Sequence, residues 1–443
     1  MLESFVNIFR IPELRRRILV TMGLLVVWRL GVHIPIPGVD VLKIQGILSD
    51  LSERSGALVG FLNVFSGGAI QQAGVFALGI MPYISASIIF SLLIKVVPQL
   101  EAISKEGPAG YRKINQYTRL ATVPLCIVQS FYVIGLLNSR ELDLLMPGVG
   151  GFGFSLTTIF ALTAGTMFVM WLGEQITEHG LGNGASLIIM AGIIDRLPTT
   201  IATLLMRQQD DVGGEKVIAL LVLYVAVVIG IVFTTQAQRR IPTQQQKHVR
   251  GRRIAMMGRH YLPFRLNQAN VMPVIFASAI MVLPMFLFGW IGRWIGADLA
   301  AMFRPGEFLY LVGYIVLIVF FSYFWVFLMY KPDEIANNLK EYGSFIPGIR
   351  PGHKTAEYLE FIFNRITLVG AIFLCLVALL PDIVSAAMGL ERYFAAFLGG
   401  TGILIVVGVG LDMIQKIESH LLMRHYSGFL GPGGGRIRGR LNR

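Results

Sequence analysis

Few residues in this chain stand at spacings that could do covalent chemistry. Gly148-Val-Gly150-Gly-Phe-Gly153 fits the Gly-x-Gly-x-x-Gly pattern of a dinucleotide cradle, and Glu174 follows at a suitable distance. The context is wrong for that use. The pattern follows Pro147, and a long apolar run, not a strand–helix–strand unit, separates it from Glu174. It reads as flexible loop punctuation. There is no phosphate-binding Gly-x-x-x-x-Gly-Lys-Ser/Thr, no His-Glu-x-x-His, no Gly-x-Ser-x-Gly and no calcium loop. Cys126 and Cys375 each lie inside an apolar run, where a cysteine behaves as a small buried hydrophobe. They form no Cys-x-x-Cys pair and no metal-ligand spacing with the 7 scattered histidines. The residues therefore predict no catalysis, no cofactor and no metal.

The remaining chemistry is noncovalent. Ionisable residues deep in a membrane span would mark an ion relay or a substrate site. Here Arg29, Lys95, Glu174, Asp195, Arg196 and Asp412 all read as lying near span ends. The polar residues within spans are uncharged: Ser85, Ser87, Gln129, Thr163, Thr166, Ser186 and Ser278. Such groups commonly join helices by hydrogen bonds, and some could hold a seam that must open. A secondary transporter of small solutes would need a midplane charged or polar site, and a membrane enzyme would need paired acids, a Ser/His pair or a metal cluster. The spans supply neither.

The elements that must position these groups follow from composition. Of 443 residues, 54% are hydrophobic and 14% charged, against roughly 25% charged in soluble domains. That is a polytopic membrane protein. Ten apolar runs are long enough to be spans: about 18–31, 75–97, 120–137, 154–173, 185–205, 217–235, 271–291, 308–330, 366–380 and 394–413. Arg15-Arg16-Arg17 precedes a first run with no small-residue cleavage site, so that run is expected to stay as an anchor. Placing both termini inside puts most of the 38 lysines and arginines in the inner loops, as the positive-inside rule demands. Five spans on each side of a boundary near 207–215 would be inverted relative to each other, an arrangement common in transport proteins.

Two inner loops exceed the needs of orientation. The loop at about 236–270 carries Arg239, Arg240, Lys247, Arg250, Arg252, Arg253, Arg259 and Arg265 with no acid between Gln236 and Asn270. Such a surface suits an acidic partner, either RNA or protein. The loop at about 331–365 contains Phe345-Ile-Pro-Gly-Ile-Arg-Pro-Gly352, where rigid turns present Arg350. Phe61–Leu93 is the other unusual stretch. Its first part, Phe61–Gln72, is apolar but too short to span, and Gly67-Gly68 breaks it before the run from Val75. Irregular backbone at membrane depth must be enclosed by protein or line a water-filled cavity. The stretch is expected to be a short plug-like element packed on a pore-lining helix.

With these pieces in place, the chain closely resembles the SecY family, the channel-forming subunits of protein translocases. The resemblance rests on His33-Ile-Pro-Ile-Pro-Gly38, Phe65-Ser-Gly-Gly-Ala69, Ala77-Leu-Gly-Ile-Met-Pro-Tyr-Ile-Ser-Ala-Ser87, Trp171-Leu-Gly-Glu-Gln-Ile-Thr-Glu178 with Gly182-Asn-Gly184, and Phe345–Gly352, in order between the spans. It implies an all-α polytopic membrane protein, with ten transmembrane helices in two inverted five-helix halves around a central hourglass pore. The halves would be 1–206 and 207–430, followed by a basic Gly/Arg-rich tail, 431–443. A plug at about 63–72 (Asn63, Val64, Phe65, Ser66, Gly67, Gly68, Ala69, Ile70) would block the outer funnel. The pore ring would be Ile80, Ile84, Ala185, Ile189, Ile275 and Ile405, with Ala185 where the family often has a larger aliphatic residue. Ser87, Gln129 and Ser278 would lie at a lateral gate to lipid. Lys247, Arg252, Arg253 and Arg350 would dock the SecA motor ATPase or the ribosome. SecE and SecG would be the membrane partners, signal sequences and nascent polypeptides the substrates, and the bacterial plasma membrane the location. The resemblance implies no enzyme activity.

Overall fold

Prolines set where several helices begin. Pro12, Pro82, Pro98 and Pro332 each stand in a first helical turn, where the missing N–H forfeits no hydrogen bond. A computed structural model of the chain describes residues 11–41, 43–44, 66–138, 144–147, 149–206, 214–245, 260–278, 280–281, 307–388 and 400–429. The helices are α1 (Pro12–Val32), α2 (Met81–Val96), α3 (Pro98–Lys105), α4 (Pro108–Leu137), α5 (Gly151–His179), α6 (Gly184–Met206) and α7 (Gly214–Gln236). They continue as α8 (Phe308–Met329), α9 (Pro332–Glu341), α10 (His353–Met388) and α11 (Thr401–Phe429). Every apolar run expected from the sequence falls at least partly on one of these, except the seventh. Of the seventh, residues 272–278 are helical and 282–291 lie outside the described residues. Among the described residues, 5 helices are long and apolar enough to cross a membrane, or 6 if α2 and α3 form one bent span.

The second span begins later than its hydrophobicity suggests. The apolar run starts at Val75, but residues 66–80 are turns, and helix starts only at Met81. Gly79, with φ of +55°, interrupts the backbone just before Ile80, which stands at the N-cap. The 16 residues of α2 rise only about 24 Å. At its far end the chain turns by 98° into α3, at the residue before Pro98. The turn segment is enclosed, as irregular backbone at this depth must be. Ser66 through Ala69 and Phe76 through Pro82 are buried.

The 33–38 motif shows how that enclosure is built. The Val75 N–H donates to the Ile34 carbonyl at 2.8 Å, and the Ile36 N–H donates to the Ala73 carbonyl at 2.8 Å. Pro35 and Pro37 hold this strip extended and offer no donor of their own, so it pairs only on chosen residues. The Asp40 N–H then reaches the Leu144 carbonyl at 3.0 Å. Below it, Ile36, Val39, Ala73, Ala77, Leu78, Cys126 and Phe154 share one buried cluster.

The helical reading holds, with one addition. Strands β1 (Gln238–Gln245), β2 (His260–Arg265) and β3 (Ser344–Phe345) form an antiparallel sheet in the order β2-β1-β3. β1 and β2 belong to the first long loop and β3 to the second. Gln244 pairs with Phe345 and Gln245 with Ser344, so the two loops are one body. That body has its own core, in which Ile241, Phe264, Val326, Ile346, Leu359 and Phe363 are buried together.

Candidate functional site

The six residues expected to line the constriction come from four separate parts of the chain and lie in one contiguous apolar cluster. Ile80, Ile189 and Ile405 are buried within it, and Ile84, Ala185 and Ile275 pack on it half-buried. Ile80 and Ile84 share a helix face, because the Ile84 N–H closes the first turn on the Ile80 carbonyl at 3.1 Å. Ala69, from the expected plug, is fully buried in the same cluster, with Trp28 and Val32 of α1 and Phe76. Ser66, Gly67, Gly68, Ala69 and Ile70 are described; Asn63, Val64 and Phe65 lie outside the described residues.

Ala185 and Ile189 owe their positions to a tight turn between α5 and α6. A methyl group on Gly184 would fall 1.8 Å from the Gly173 carbonyl oxygen, so only glycine lets the helices approach this closely. The Gly184 N–H donates to Thr177 Oγ1 at 2.9 Å. Asn183 caps α6, its Oδ1 accepting from the Ser186 N–H at 3.2 Å. The turn is tied to α1 by the Leu181 N–H, which donates to Thr21 Oγ1 at 3.0 Å. The residues of the 171–184 motif thus fix where two constriction residues stand.

The polar residues expected at a lateral seam are less exclusive to it. Ser87 and Gln129 are half-buried, on α2 and α4, which pack side by side. Ser278 is buried, and its hydroxyl donates to the Ile275 carbonyl at 2.9 Å. Thr118, Thr122, Ser130 and Ser322 likewise donate within their own helices. Among the described residues no hydrogen bond joins Ser87, Gln129 and Ser278.

Two interhelical ion pairs were invisible in the sequence. Arg119 of α4 pairs with Glu174 of α5. Arg29, read from the sequence as lying near a span end, pairs with Asp195 at 2.7 Å. Asp195 is not near a helix end, as expected, but is the central residue of α6. A charge of each sign on or beside different apolar runs is the available signal, but partner choice depends on packing.

On the sheet-bearing loops, Arg350 is exposed, between Gly348 and Gly352, both at positive φ. Its carbonyl accepts from Thr355 Oγ1 at 3.0 Å, which fixes the turn. Nearby Glu357 is taken by Lys354 and His353, and Arg350 has no ion-pair partner among the described residues. Lys247, Arg252, Arg253 and the 431–443 tail lie outside the described residues. No group of three or more His, Cys, Asp or Glu that could hold a metal ion occurs among the described residues.

Both the sequence and the fold are matched among known proteins. The family model of SecY matches residues 74–414. The chain belongs to the SecY family. The protein translocase subunit SecY of Streptomyces scabiei is 42% identical over 445 residues, covering 97% of this chain and 100% of the relative. That of Thermotoga maritima is 41% identical, covering 99% and 100%. A solved protein-conducting channel has the same fold, with a TM-score of 0.63 at 17% identity over 93% of this chain and 94% of its own. A SecY structure concerned with a plug domain that stabilises the closed channel gives 0.62 at 18% identity over the same shares.

Proposed function

We propose that this multi-pass SecY-family protein is the channel-forming subunit of a protein translocase. It passes unfolded polypeptides across the membrane and releases apolar segments sideways into lipid. The observation that carries the reading is the convergence of Ile80, Ile84, Ala185, Ile189, Ile275 and Ile405 in one apolar cluster that also holds Ala69. A narrow apolar constriction holds water poorly and can gate by dewetting. It has no fixed charge or hydrogen bond to grip a passing chain, so unlike sequences can slide through. Branched side chains can close around whatever passes. A segment of about 20 apolar residues gains free energy by leaving for lipid, while a polar one stays in the channel.

In this reading residues 63–72 are the plug, and Ser87, Gln129 and Ser278 line the lateral gate. The halves 1–206 and 207–430 are inverted five-helix units, with both termini cytoplasmic in a bacterial plasma membrane. SecE and SecG complete the membrane complex. The joined loops dock SecA or the ribosome through Lys247, Arg252, Arg253 and Arg350, and signal sequences open the gate. The guanidinium of Arg350, exposed and without an ion-pair partner among the described residues, supports that docking surface. Energy comes from the partner or a proton gradient.

The test is reconstitution of the chain with SecE and SecG in proteoliposomes. A secretory precursor should enter only with SecA, ATP and an intact signal sequence. Entry that ignores the signal sequence, or no entry at all, would sink the channel reading. Arg350→Glu should abolish SecA-driven entry while the assembled complex remains intact; undiminished entry would refute the docking assignment.

A further inference from the structure

The segment proposed as the plug touches α6 backbone to backbone. Gly67 has φ of +62°, and a methyl group there would meet the Trp28 ring at 2.5 Å and Gly192 Cα at 3.3 Å. A methyl group on Gly192 would meet Gly67 Cα at 2.9 Å. Neither position leaves room for a side chain. Arg29, the residue after the buried Trp28, reaches across this contact. Its Nη2 lies 2.7 Å from Asp195 Oδ2, and its Nη1 donates to the Gly67 carbonyl at 3.1 Å.

One guanidinium therefore serves two elements at once. Its planar fork suits this, because the donors point in fixed directions. Asp195 neutralises the charge and aims the fork, and the remaining donor falls on the segment. Both charged side chains are about a third exposed, 36% and 34%. Close by, Trp28, Ala69, Ile189 and Ile193 belong to the apolar cluster of the constriction.

We propose that Arg29, Asp195 and the Gly67 carbonyl form a latch that holds the plug in the closed channel. Arg29 is the positioning residue and Asp195 orients it. The proposal rests on the plug reading above. α1 and α6 belong to the same half, so parting the halves leaves the ion pair intact. When the plug leaves, the latch itself loses its contact to the Gly67 carbonyl and keeps the ion pair. The guanidinium stays aimed, and the latch can close again when the segment returns. The Gly67–Gly192 contact lets the segment lie close enough for that single hydrogen bond to form.

The test uses the complex with SecE and SecG in proteoliposomes, reading resting halide flux without precursor. Asp195→Asn and Arg29→Gln should each raise that flux about fivefold, the scale of a partly exposed ion pair. The double variant should leak no more than the leakier single, because both remove one device. Asp195→Glu, which keeps the charge, should stay near the parent. Gly192→Ala keeps both charges and should still leak by displacing the segment, a check independent of charged-residue effects on assembly. Deletion of residues 63–72 serves as the reference. If deletion leaks but the single variants do not, the plug stands and the latch is wrong. Additive leakage in the double variant also overturns the latch. If deletion does not leak, the plug reading fails and the latch with it.

Discussion

At the residue scale, the turn between α5 and α6 shows how one missing methyl group sets a site. A side chain at position 184 would strike the Gly173 carbonyl, whereas a methyl on Gly173 itself meets its nearest neighbour at an ordinary 3.5 Å. Gly184→Ala should therefore destabilise the complex by about 1–3 kcal/mol through overpacking, seen as a lower melting temperature in detergent. Because Ala185 and Ile189 follow directly, its resting ion leak should rise too. Gly173→Ala should change neither measurement. Equal effects from the two variants would show that the contact does not matter. The Gly182-Asn-Gly184 motif was legible as sequence, and Asn before an apolar run is a readable cap. The reason for Gly184 was not, since the clashing carbonyl lies on the preceding helix. The same limit hid Arg29 and Asp195, which are far apart in the chain and meet only after α1 and α6 pack.

At the element scale, long apolar runs gave up their helices easily, because a span must be apolar over most of its length. Helix α2 starts later than its apolar run, because hydropathy registers burial and not backbone, and residues 76–80 are buried without being helical. The sheet was harder still. β1 reads Gln-Arg-Arg-Ile-Pro-Thr-Gln-Gln, and over residues 238–244 it is Ile241 and Thr243 that are buried. One apolar residue is too little alternation to announce a strand. Yet this sheet gives the second loop its firmness, because β3 leads directly into Ile346, only 3% exposed. Ile346→Ala should cost about 2 kcal/mol or more and loosen the turn that presents Arg350. Chymotrypsin should then cut the loop faster after Tyr342 or Phe345, and SecA should bind more weakly, with the helices unaffected. Ile346→Val should lie close to the parent in both assays. Unchanged proteolysis in Ile346→Ala would mean that the turn holds itself.

At the scale of the whole molecule, the two proposed halves are joined unevenly. Among the described residues their most extensive contact is α6 against α11. A methyl group on Gly402 of α11 would lie 3.7 Å from Ile193 Cγ2 of α6, an ordinary contact and not a clash. Ile405 follows less than a turn later and lies with Ile193 in the constriction cluster. A shell fastened along one side can open along another, with the fastening as its hinge. Motion of that kind rotates the halves about α6 and α11 with little change in the distance between neighbouring residues there. A short covalent link across the contact should therefore be tolerated. Ile193→Cys with Gly402→Cys should couple readily under mild oxidation, because the positions are within side-chain reach and the chain's own Cys126 and Cys375 are buried. The linked complex should keep most of its precursor transport, and reduction should restore little more. Loss of transport on linking, recovered on reduction, would show that α6 and α11 must separate, and the opening would then have to be sought along this seam.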